Sequence, residues 1–104
     1  MFRRGRFDDL IERQLDLFAV DQAPVVEEAE KAAAAWTHAK RNETEELYGD
    51  YQLVVDELAD RLHETRESYA GTLDEKTAEE YRTSFNRAAT KRLRRFAGLL
   101  DEDE

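Results

Sequence analysis

No cysteine occurs among the 104 residues of this chain, and proline and glycine are scarce, at one and four. The missing thiols exclude a disulfide framework, a thiolate metal site and a cysteine nucleophile, and with them several classes of enzyme and stapled scaffold. Long apolar runs are missing too, for no stretch approaches the ~20 apolar residues that a membrane-spanning helix needs. The start, Met1 to Phe7, is basic like the first part of a secretory signal, but Asp8 and Asp9 interrupt it before any apolar run develops. It reads as the terminus of a cytoplasmic protein. Positive charge is in deficit: 16 Lys and Arg stand against 25 Asp and Glu, a formal charge of −9. That balance opposes a general affinity for nucleic acid or anionic membrane, both of which attract cations through phosphate.

What remains is 39% charged and 40% apolar. A composition dominated by Ala, Glu, Leu, Lys and Arg leans toward long helices. The length suits one domain, near the size at which a single core suffices without excess. No alternating strand pattern, internal repeat or linker is present. The expected class is therefore all-α, a single helical domain over 1–104, with 1–6 as a basic arm and 101–104 (Asp-Glu-Asp-Glu) as an acidic tail.

Three punctuation points organise the chain. At 21–24, Asp21 offers a helix cap and Pro24 suits a first turn, where its missing N–H costs nothing. At 70–80, Gly71 reads as the residue after a helix end. It is followed by two overlapping capping signals, Thr72 with Glu75 and Thr77 with Glu80. The third point, 39–46, could start a helix with Asn42 as cap and Glu45 three residues on, but it holds neither Gly nor Pro. An apolar stripe decides between the two readings of that stretch. Val26, Ala29, Ala33 and Trp36 share a sector about 100° wide with Leu47, Tyr51, Val54, Leu58, Leu62 and Tyr69, and the phase carries across the polar gap. The pattern predicts three helices, about 7–20, 24–70 and 74–100, in an elongated antiparallel hairpin or bundle, with 41–43 as the place where the middle one could break.

That architecture makes a demand. A helix over 24–70 would be about 70 Å long, with one neighbour along each half, and a two-helix layer buries too little to offset chain entropy. The uncovered stripe should then meet a second copy or another protein. A break near Asn42 would instead let four helices close into a monomeric bundle.

The basic run Lys91-Arg92-Leu93-Arg94-Arg95 divides on the helical wheel. Arg87, Lys91 and Arg94 fall on the solvent side, where they complement a helix C-terminus; as a group they are also the only candidate nucleic-acid strip. Arg92 points into the apolar sector and needs a carboxylate, from Asp50, Glu57 or another chain, or a path for its head to water. For metal, Glu30 with Asp60 and His63 has a Glu, then Asp-x-x-His spacing that resembles the di-iron carboxylate helices of ferritin-like bundles. It has Asp for Glu and no second copy of the repeat. His38 and His63 are the only histidines, and no nucleophile, phosphate-loop or zinc motif accompanies them. Carboxylate pairs such as Glu27-Glu28, Glu45-Glu46 and Glu79-Glu80 read as helix surface, supported by cation pairs such as Glu57 with Arg61. Gly49 suggests a close helix approach or a kink.

The expectation is a non-enzymatic helical protein–protein interaction module, a small scaffold, adaptor or regulator that needs no cofactor. It would self-associate as a dimer through Trp36, Leu47, Tyr51, Val54, Leu58, Leu62 and Tyr69, with Arg92 fixing the register. A metal-binding helical bundle and a weak nucleic-acid binder are the alternatives.

Overall fold

The structure, a computed structural model, describes residues 5–96. Within them the chain forms four α-helices and a short 3₁₀ turn, with no strand: α1 (Asp8–Asp21), α2 (Ala23–Thr37), α3 (Thr44–Ala70), α4 (Glu75–Arg92) and the 3₁₀ turn Arg94–Phe96. The all-α expectation holds; the three-helix division does not. The arm at 1–6 lies outside the described residues except for Gly5 and Arg6, and the tail at 101–104 lies wholly outside them.

Asp8 and Asp9 sit in the first turn of α1, where carboxylates complement the helix dipole, and Asp8 also accepts the Gly5 N–H at 2.6 Å. Between α1 and α2 only Gln22 leaves the helical path. It is the joint of both helices, without a side-chain cap, and Pro24 follows in the first turn of α2. Asp21 thus ends α1 and does not cap α2.

The predicted helix over 24–70 is broken at 38–43, and the reasons are local. Nothing from Lys40 to Glu46 is apolar, so a helix through this stretch would gain no burial. The Thr37 hydroxyl donates to the Ala33 carbonyl at 2.8 Å in the last turn of α2. A tight turn then closes through Glu43 N–H to the Lys40 carbonyl (2.8 Å) and Lys40 N–H to the Glu43 carboxylate (3.1 Å). Asn42 is exposed in that turn, and Glu43 occupies the position before α3.

The second turn also differs in detail. Gly71 is the residue after the end of α3, as read, and has φ −62°, ordinary right-handed geometry. Asp74, not Thr72 or Thr77, caps α4: its carboxylate accepts the Thr77 N–H at 3.0 Å and the Thr77 hydroxyl at 2.8 Å. The helix predicted to reach 100 ends at Arg92, and residues 97–100 lie outside the described range.

Named contacts set the arrangement. Phe7 lies edge-on to Tyr69 and Tyr81, Gln22 accepts from Arg61, and Trp36 stacks on Tyr51. Rising numbers along α1–α2 therefore meet falling numbers along α3, and the two helices form one jointed rod antiparallel to it. On the other flank, α4 returns along α3 from the Gly71 turn until Phe96 reaches Tyr51. The core runs between the rods through Ile11, Leu15, Phe18, Val25, Ala29, Val55, Leu58, Leu62, Tyr81 and Phe85. Tyr81 is fully buried, and its hydroxyl donates to Gln14 at 2.8 Å. The result is elongated, 50 × 31 × 23 Å. Among the described residues no helix is long and apolar enough to cross a membrane.

Candidate interaction surface

The two ends of the bundle are covered differently. Near the Gly71 turn, α3 is flanked by both α1 and α4, and three rods share the core. Toward the 38–43 turn, α2 and α3 form a two-helix layer. One side of it is closed by Phe96 and by Trp36, which packs on Tyr48 (5.0 Å between centroids) and Tyr51 (5.7 Å, nearly parallel). The other side is an open groove of about 600 Å³. Its floor is apolar, made by Ala32 and Ala35 of α2 with Leu47 and Val54 of α3, and Leu53 stands at its edge with 69% of its surface exposed. The rim holds Glu28, Asp50 and Glu57 against Lys31 alone. Lys31 is drawn to Glu27 (3.6 Å) and Glu57 to Arg61 (2.9 Å). Among the described residues, Glu28 and Asp50 have no ion-pair partner.

The predicted stripe is largely consumed by the chain's own core. Leu58 is fully buried, Tyr51 and Leu62 nearly so, and Tyr69 is half-buried against Phe7 and Tyr81. Leu47 and Val54 are half-buried in the groove, while Val55, one residue off the predicted stripe, is the core residue at that level. Trp36 keeps 36% of its surface exposed. Arg92 does not enter an apolar core: its guanidinium reaches Asp16 of α1 at 2.8 Å, not Asp50 or Glu57, and the pair is open to solvent. Gly49 marks no close approach, for a Cβ placed there would meet nothing within 4 Å.

The remaining candidates are dispersed. Glu30 accepts from Arg95 at 3.1 Å, and His63 Nδ1 lies 2.8 Å from Arg66 Nη2. A guanidinium can only donate, so that ring nitrogen is the acceptor. Asp60 is exposed on α3. No group of three or more His, Cys, Asp or Glu among the described residues is placed to hold a metal ion. Arg87 and Lys91 on α4 and Arg94 in the 3₁₀ turn are exposed, while Arg92 and Arg95 are matched by Asp16 and Glu30.

The ionisable groups that are displaced from their ordinary behaviour move away from neutrality. Glu67 is held at about 2 chiefly by the Arg82 guanidinium, which grips both its oxygens at 2.9 Å, with Arg66 at 2.9 Å assisting. Hydrogen bonds from Thr77 lower Asp74, and burial raises the phenols of Tyr51 and Tyr81.

Leu53 and the alanines of the groove were not anticipated as a surface. Leu53 lies off the apolar stripe, and an apolar residue out of phase on a helix was the available signal. No family model matches this chain, and neither a curated protein nor a solved structure matches it.

Proposed function

We propose that this chain is a small non-catalytic helical interaction module whose contact surface is the α2–α3 face. The observation that carries the reading is Leu53, 69% exposed beside an apolar groove that the chain itself leaves open. A large side chain so placed contributes little to the fold, and burial of its exposed part by a partner would be favourable by roughly 1–2 kcal/mol. The ionisation pattern fits this reading, since among the described residues no displaced group is shifted toward neutral pH.

The missing cysteine makes the test direct. A Leu53→Cys variant carries one thiol and takes one photo-crosslinker; a Glu79→Cys variant, on the exposed side of α4, is the control. Site-selective crosslinking at position 53 in cells of origin is expected. Equal or absent crosslinking at both positions removes the reading. Self-association is a second use of the same face, favoured by Leu47 and Val54, the half-buried part of the stripe that lines the groove. Sedimentation equilibrium decides it: a dimer that dissociates in Leu53→Asp places a second copy on the groove.

A further inference from the structure

Resting on that interaction reading, the shape and charge of the groove narrow what can occupy it. Along α3 the lining runs from Leu47 to Glu57, a rise of about 15 Å or nearly three helical turns. The walls are two antiparallel helices, and the floor between them is made of small and branched apolar side chains. A third helix fits such a trough, because its own ridge of side chains enters the groove between two others. It would also repeat on this end of the bundle what the Gly71 end already has, three rods around a common core.

Charge selects among helices. The rim bears three carboxylates and one ammonium; of these, Lys31 leans toward Glu27, and Glu28 and Asp50 are unmatched. The chain as a whole carries −9. A second copy laid α3 against α3, in either direction, would bring Asp50 and Glu57 toward the same carboxylates of that copy, where like charges are penalised. We infer that the α2–α3 groove binds an amphipathic helix of another protein, with apolar anchors at i, i+3/i+4 and i+7 flanked by lysine or arginine. The anchors replace water over Leu47, Leu53 and Val54, and the flanking cations meet Glu28 and Asp50.

The test uses the full chain and a labelled designed peptide of about 14 residues with leucines at i, i+3, i+7 and i+10 and lysines beside them. A second peptide has glutamates in place of the lysines. Binding is read by fluorescence anisotropy at physiological salt. The basic peptide should bind and the acidic one should not. Leu53→Asp, at an exposed position that spares the fold, should weaken binding about tenfold or more. Glu28→Lys with Asp50→Lys should weaken the basic peptide by about tenfold and admit the acidic one. Equal binding of both peptides overturns the inference, as does binding that survives Leu53→Asp, failure of the basic peptide at millimolar concentration, or a Leu53-dependent homodimer that excludes it. If the basic peptide fails while position 53 still crosslinks selectively to a partner, the interaction reading stands and the chemistry assigned to the partner falls. If both fail, both fall.

Discussion

Glu67 offers a prediction in which the pH dependence can be worked out beforehand. Its carboxylate is gripped through both oxygens by Arg82 at 2.9 Å and touched by Arg66 at 2.9 Å, while Arg66 also donates to Asn86 of α4 at 2.8 Å. The network thus ties the last turns of α3 to α4. It lowers the pKa of Glu67 from the ordinary 4.5 to about 2. At about 1.4 kcal/mol per tenfold change in ionisation, the ceiling on the stabilisation is roughly 3 kcal/mol. The side chain is 32% exposed, and solvent screening reduces that ceiling to about 1–2 kcal/mol. The sign follows from proton linkage. Between pH 4.5 and about 2 the unfolded chain holds a proton on Glu67 that the folded chain does not, so stability falls as pH falls through this window. Urea denaturation of the wild type and of Glu67→Gln, run from pH 7 to pH 2.5, isolates the contribution from that of the other carboxylates. The wild type should be about 1–2 kcal/mol more stable above pH 5, and the gap should narrow steadily toward acid. A gap that stays constant with pH, or a variant as stable as the wild type at pH 7, refutes the account.

Three further substitutions probe the fold. Leu58→Ala removes a fully buried side chain and should cost about 2–5 kcal/mol in urea denaturation, independent of protein concentration; reduced mass with unchanged stability would mean that Leu58 is an interface residue after all. Gly49→Ala should raise stability by about 0.5–1 kcal/mol, because the helix gains a better former and the added Cβ meets nothing within 4 Å; a lower melting temperature would refute that. Tyr81→Phe keeps the ring among Phe7, Tyr69 and Phe85 but strands Gln14, and should cost about 1 kcal/mol.

Much of the fold was legible where local physics decides it. The first helix, expected over 7–20, occurs at Asp8–Asp21, and the helix-to-helix turn expected within 70–80 falls at 71–74, opening on Gly71. What could not be read was which rod lies beside which. Arg92 pairs with Asp16 on α1, and not with Asp50 or Glu57 of α3, a neighbour fixed only by three-dimensional packing. The capping residue of α4 was missed because Thr72, Asp74 and Thr77 all carry cap-competent side chains, and only the backbone geometry selects Asp74.

The break at 38–43 has the largest consequence for function, and the apolar stripe pointed the wrong way about it. Continuous phase across a polar gap looks like one helix, yet two short helices folded against each other also each need an apolar face toward the shared core. In a single helix Trp36 and Tyr51 would lie about 22 Å apart along the axis; in the hairpin their rings are 5.7 Å apart. The same residues therefore change role with the backbone path, from a stripe that calls for a partner to a core that needs none. The surface proposed for recognition lies to the side, at residues that the core's periodicity does not claim: Leu53 at the edge of α3, the alanines of α2, and the unmatched carboxylates of Glu28 and Asp50. Because those positions carry little of the chain's own stability, substitutions there can separate recognition from folding, which variants such as Leu58→Ala cannot do.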